Sequence, residues 1–335
     1  MTGISSFICG IEGTVLSHAE REFLEEHQPY GVILFARNID NPAQLRVLVA
    51  SIKAALAHPF ASILIDQEGG RVARLRPPHW RAYPPALTLA SHENAARAVY
   101  INARLIAEEL RAAGITTDCA PMADVLAAEC HAIIGDRAFG DAPEPVARLA
   151  RAQAGGLMDG GILPVLKHIP GHGRATMDSH EALPVVSASL AELEASDFKP
   201  FRALNDLPLA MTAHILYTAL DANRVATLSP VVIDFIRTDI GFNGLLMSDD
   251  LSMKALGGSY ESRTEQTLAA GCDLVLHCNG KMDEMQAIAA HSIPLSGQAL
   301  TRAELAAAMR PAQLPTDDAL LLAEWQQLLA VAGAA

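Results

Sequence analysis

Aromatic side chains, cysteines and positive charge are all in short supply in this 335-residue chain, and each shortage excludes something. Phe, Trp and Tyr make up only 5% of residues, and the two tryptophans are Trp80 and Trp325. An extended cleft lined with aromatic platforms is therefore not expected. The five cysteines, Cys9, Cys119, Cys130, Cys272 and Cys278, are odd in number and scattered. Several fall in apolar, strand-like runs, where Cys acts as a small buried hydrophobe. Neither a disulfide framework nor a zinc site is expected, and a reducing compartment follows. Lys and Arg number 25 against 38 Asp and Glu, for a net charge of −13. That balance argues against a nucleic-acid partner and against an anionic membrane surface. No run approaches the roughly 18 apolar residues of a membrane span. The opening MTGISSFICGIEG has neither the basic start nor the long apolar core of a secretory signal, so the cytoplasm is the expected location.

Low-complexity tracts, charge blocks and Gly/Ser linkers are also missing. What recurs is a short apolar run followed by a helical stretch. The runs are SSFICGI (5–11), GVILFAR (31–37), ASILIDQ (61–67), ITTDCAPM (115–122), ILPVLKH (162–168), PLAMTAH (208–214), GLLMSDD (244–250) and CDLVLHC (272–278). Most are almost continuously apolar, as strands covered on both faces should be. Helical periodicity runs over 42–56, 93–113 and 143–158, with stops expected at Gly31, Gly114, Gly160 and Gly241. Eight strands alternating with helices predict a single (β/α)₈ barrel over 1–335 rather than a doubly wound sheet. No Gly-x-Gly-x-x-Gly turn follows the first run, which disfavours a dinucleotide site. The Ala- and Leu-rich tail, about 296–335, is expected to form helices packed on the barrel.

A barrel carries its active site at the C-terminal ends of its strands. Polar residues collect there: Asp66 after the third run, Lys167-His168 ending the fifth, His214 the sixth, and Asp249-Asp250 the seventh. The loop after the fifth run adds His172, Asp178 and His180. Charge at the same end of so many apolar runs would be desolvated, which is costly unless the groups are paired or used.

The segments IDQEGGRVARL, IGDRAFG, KHIPGHGRATMDSH and LMSDDLSM, in that order over roughly 31–280, resemble the signature segments of family 3 glycoside hydrolases. They are most similar to the bacterial β-N-acetylhexosaminidases of cell-wall recycling. The resemblance implies a retaining exo-glycosidase that needs no metal or cofactor. Its substrate would be a small soluble glycan or muropeptide, with terminal β-linked GlcNAc on a 1,6-anhydro-N-acetylmuramyl peptide. Asp249 would be the nucleophile, and His180, with Asp178 two residues earlier, the general acid/base in place of the usual second carboxylic acid. Asp66, Arg74, Arg137, Lys167 and His168 would hold the sugar. Glu68 is not expected to touch it, and Gly69-Gly70 should make a tight turn with positive φ.

Plainer readings exist for each. Asp249 or Asp250 could cap the helix that follows, and strand alternation would send the two carboxylates opposite ways. Arg74 and Arg137 could make rim salt bridges, and His168 could be a core histidine. Other functions on the same barrel are a metal-dependent hydrolase using His168, His172, Asp178, His180 and Asp249, a Schiff-base aldolase using Lys167, and an inactive sugar-binding barrel. Phosphate could also replace water as the acceptor. A monomer is expected.

Overall fold

The structure, a computed structural model, describes residues 3–127, 134–175, 177, 182–310, 312, 314 and 317–332. Eight parallel strands close a barrel: β1 (Ser5–Cys9), β2 (Pro29–Leu34), β3 (Ser62–Ile65), β4 (Thr117–Asp118), β5 (Leu163–Ile169), β6 (Leu209–Thr212), β7 (Leu245–Asp250) and β8 (Leu274–His277). Closure is made by β8 on β1, where Ile8 faces Leu276 and Cys9 faces His277. Alternate residues point into the lumen, where Ile33, Leu64, Val165, Leu209, Met247 and Leu274 fill the interior. Their neighbours Val32, Ile63 and Val275 point outward onto the helices. Burial on both faces is why the strand sequences lack an apolar–polar alternation.

The helices start where the sequence supplies caps. Asn41 Oδ1 accepts the Ala43 and Gln44 N–H groups at 3.0 Å, and Pro42 opens the helix Pro42–Ala55. That arrangement satisfies donors which would otherwise be orphaned. The helices Ala95–Ala112 and Pro143–Asp159 match the expected periodic segments to within two residues. Strand four is shorter than its apolar run. Pro121 has no N–H for a ladder, so beyond Asp118 the chain follows β5 through irregular bonds, Val165 N–H to Ala120 O and Lys167 N–H to Pro121 O.

One expected helix stop is corrected. Gly31 lies inside β2, and the preceding helix, His18–His27, ends on Gln28 in the left-handed region at φ 44°. The expected stop at Gly160 stands: it caps Pro143–Asp159 in the right-handed region, and Gly161 then turns left-handed, at φ 83°. Gly31 has a packing reason: a Cβ there would sit 2.4 Å from the Ser62 carbonyl oxygen.

In the tail, Gly297–Ala308 places Ala303 and Ala306 against the cluster that fills the barrel. The helix Asp318–Ala332 lies across Ala95–Ala112, with Trp325 Nε1–H donating to Asn102 Oδ1 at 3.0 Å. A two-stranded parallel pair, Val185–Val186 with Leu216–Tyr217, stands apart from the barrel. Among the described residues no helix is long and apolar enough to cross a membrane.

Gly31→Ala should destabilise the fold by about 1–3 kcal/mol, because the β2–β3 spacing leaves no room for the methyl group. Urea unfolding at neutral pH measures this. A loss below about 0.5 kcal/mol would show that the two strands separate freely.

Candidate active site

At the C-terminal end of the barrel lies a cavity of about 200 Å³. It is bordered by Asp66 after β3, Lys167 and His168 in β5, Asp249 at the end of β7, and Arg74 and Arg137 from the loops after β3 and β4. All six expected site residues that the structure describes therefore meet in one place. Asp178 and His180 lie outside the described residues. The remaining wall is largely apolar, with Ile33, Phe35, Val72, Met211, Met253 and Leu276.

One side of the cavity is a buried charge network. Lys167 Nζ lies 3.1 Å from Asp66 Oδ1 and 2.6 Å from Glu68 Oε1, and its side chain is only 3% exposed. Arg74 Nη2 reaches Asp66 Oδ2 at 3.0 Å. Arg137 meets Glu68 with two parallel bonds of 2.8 and 2.7 Å, the bidentate geometry that suits a guanidinium. Burial pushes the Asp66 carboxyl up, but Lys167 and Arg74 outweigh it and the net shift is down. Burial likewise opposes the charge on Glu68, and Arg137 and Lys167 bring it far below the usual carboxylate range. Burial disfavours the Lys167 ammonium, yet Glu68 and Asp66 raise it overall. The salt-bridge reading of Arg74 and Arg137 and the cavity-lining reading thus describe the same side chains. Glu68 does not border the cavity, and both its oxygens are engaged by Lys167 and Arg137.

The loop after β3 doubles back through Gly69 and Gly70, at φ 103° and 56°, as expected. Gln67 holds the turn: its Oε1 accepts the Arg74 and Leu75 N–H groups at 2.7 and 3.0 Å, and its Nε2 donates to Leu75 O. Sequence reasoning passed over Gln67, although it sits between two charged residues of the same motif.

On the opposite side, Asp249 Oδ1 accepts the Asp250 N–H at 2.8 Å. Burial raises its carboxyl, but His168, His214 and that N–H bring it below the ordinary value, so it is ionised at neutral pH. The alternation argument is corrected: Asp250 also borders the cavity. Its carboxylate is occupied, however, accepting from Ser252 N–H and Oγ–H at 3.0 and 2.5 Å and from Cys278 N–H at 3.1 Å. His214 stays beneath the site, bonded to Thr227 Oγ1 and the Asp250 carbonyl.

Asp124 is the principal residue that sequence reasoning missed. It is fully buried, with Oδ2 2.7 Å from His168 Nδ1 and Oδ1 accepting the His172 N–H at 2.6 Å. It follows the fourth apolar run by only two residues, so the end-of-strand rule would have reached it with a slightly wider window. The Lys167–His168 peptide is cis, and the His172 ring packs against that of His168 at a tilt of 59°, centroids 5.3 Å apart. Burial, then His168, push the His172 imidazole down to about 4, so it is neutral at working pH. Among the described residues no three His, Cys, Asp or Glu side chains converge as metal ligands.

An eight-stranded barrel with a buried, ionised carboxylate facing a charged wall across its mouth has the layout of a glycoside-cleaving enzyme. The model of the glycosyl hydrolase family 3 N terminal domain matches residues 9–310. The β-hexosaminidase of Nitrosomonas eutropha is 41% identical over 278 residues, covering 80% of this chain and 79% of its own. That of Chromobacterium violaceum is 38% identical over 329 residues, 96% and 88% of the two chains. Among solved structures, NagZ from Neisseria gonorrhoeae in complex with N-trifluoroacetyl-D-glucosamine superposes with a TM-score of 0.85 at 33% identity, covering 99% of this chain and 98% of that one. The family 3 β-N-acetylglucosaminidase from Paenibacillus sp. str. FPU-7 gives 0.86 at 29%, covering 96% and 67%. The chain belongs to glycosyl hydrolase family 3, and within it to the β-hexosaminidase branch.

Replacing Glu68 by Gln strips Lys167 and Arg137 of a buried counter-charge and should cost about 3 kcal/mol of stability at pH 7. The depressed Glu68 pKa makes its contribution fully present above the unfolded value of about 4.3 and lost as pH falls through the folded value. Glu68→Gln should therefore also flatten the decline in stability between about pH 4 and 2, by up to about 1.4 kcal/mol per pH unit. Urea unfolding at several pH values reads both effects, and an unchanged acid slope would count against the network.

Proposed function

We propose that the chain is a retaining exo-β-N-acetylglucosaminidase, taking terminal β-linked GlcNAc from small soluble glycans such as 1,6-anhydro-N-acetylmuramyl peptides. The observation that carries this reading is the placement of Asp249, ionised and buried at the wall of a cavity whose other side is the Asp66–Lys167–Arg74 cluster. At about 200 Å³ the cavity is below the usual range for drug-sized ligands, which favours a single sugar ring over a polysaccharide. The β-hexosaminidase and β-N-acetylglucosaminidase relatives point the same way.

In this mechanism Asp66 accepts hydrogen bonds from ring hydroxyls, while Arg74, Arg137, Lys167 and His168 complete the sugar's polar surround. Asp249 attacks the anomeric carbon as the glycosidic bond breaks, and His180 delivers a proton to the leaving oxygen. His180, now neutral, takes a proton from water, which displaces Asp249 from the covalent intermediate. Asp178 orients the imidazole and supports its charged form. Histidine suits both half-reactions because its ordinary pKa lies near neutrality.

Two inversions retain configuration, so proton NMR of the first-formed GlcNAc should show the β-anomer; an initial α-anomer would rule out double displacement. Run in phosphate buffer, the same spectra would reveal sugar-1-phosphate if phosphate were the acceptor. Asp249→Ala should lower kcat by at least about 10⁴-fold with an unchanged unfolding midpoint, and substantial residual turnover would remove Asp249 as nucleophile.

His180→Ala should hurt natural glycans most, because their leaving group needs a proton. With 4-nitrophenyl β-GlcNAc the intermediate should form and accumulate, KM should fall, and azide should partly restore turnover. Asp178→Ala should give a milder form of the same pattern. Equal losses on both substrates without azide rescue would reduce His180 to a shape-determining role.

A further inference from the structure

We propose that Asp124 is a positioning residue for the hydrolytic reaction, acting through His168; this inference rests on the function proposed above. Asp124 is 0% exposed and stands just beyond β4, yet its two oxygens serve the neighbouring strand β5 and the loop that follows it. Oδ2 is 2.7 Å from His168 Nδ1. Oδ1 accepts the backbone N–H of His172 at 2.6 Å and that of His168 at 3.3 Å. Burial raises the Asp124 carboxyl, but the His168 imidazole outweighs it and the net shift is down.

An ionised carboxylate only accepts hydrogen bonds. Nδ1 of His168 must therefore carry a proton, and Nε2 is the nitrogen left for the cavity that His168 shares with Asp249. The second oxygen fixes the root of the loop whose sequence runs on to Asp178 and His180. One buried carboxylate thus sets which imidazole nitrogen meets the sugar and where the following loop departs. A carboxylate that merely satisfied loop N–H groups would need only Oδ1, and the short bond from Oδ2 to Nδ1 would be superfluous.

Asp124→Asn keeps the shape and can still accept both backbone N–H groups through Oδ1. Its amide nitrogen, however, presents a donor to Nδ1 and drives the proton of His168 to Nε2. Removing the orienting charge of a hydrolase histidine in this way leaves geometry intact and lowers turnover strongly. We expect kcat/KM on 4-nitrophenyl β-GlcNAc to fall about 100-fold with a nearly unchanged urea midpoint. In a His168→Ala background the same change should cost less than about threefold, because the two residues act as one unit. Undiminished activity, or the full loss persisting without His168, would overturn the proposal. Nitrogen-15 NMR of the wild-type imidazole gives a reading independent of any variant's folding: a protonated Nδ1 is expected, and a bare Nδ1 would overturn it. Wild-type protein inactive on this substrate would instead overturn the proposed function, and the NMR result would still decide for or against Asp124.

Discussion

The site depends on the Lys167 ammonium being buried between Asp66 and Glu68. A lone charge in that position would be expelled or neutralised, since desolvating an ion costs several kcal/mol. Three cations and two carboxylates share the space instead, and each holds another in its charged form. The loops after β3 and β4 and the strand β5 are thereby joined by electrostatics where no regular secondary structure connects them. Asp66, Arg74, Arg137 and Lys167 of that network border the cavity. A polar substrate consequently meets groups whose geometry is already set, which is the condition for using hydrogen bonds in discrimination rather than in rearrangement.

Asp249 and Asp250 show how neighbouring carboxylates acquire different surroundings. Both border the cavity, but Asp250 spends its oxygens on Ser252 and the Cys278 N–H, bracing the end of β7 against β8. Among the described residues, Asp249 accepts one hydrogen bond, from the Asp250 N–H. In the proposed mechanism the carboxylate with acceptor capacity to spare among the described residues is the one that attacks carbon. Charge alone does not separate the two, and accounting for hydrogen bonds does.

Much of this was legible in the sequence because barrels impose a simple rule. Continuous apolar runs mark strands covered on both faces, and the polar residues that end them mark the mouth. Asp66, Lys167, His168 and Asp249 were all reached that way, and the motif resemblance added Arg74 and Arg137. The misses have physical causes. Gly31 reads locally as a helix stop, but close approach of Ser62 across β2–β3 decides its place in a strand. Asp124 was missed because its importance lies in a partner 44 residues away, and periodicity carries no such information. The pairing of Arg137 with Glu68 is likewise a three-dimensional fact between segments 69 residues apart.

Barrel closure also governs the order in which the chain can fold as it is made. The first strand pairs with β2 on one edge, but its other edge is met only by the eighth, and beyond it Ser6 and Leu295 exchange bonds with Ile293 and Ile4. During synthesis β1 must therefore wait with one edge bare until residues near 295 have emerged. An unpaired edge is a template for misassociation. A barrel lacking its last strand leaves that edge of β1 unpaired and cannot offer the same mouth.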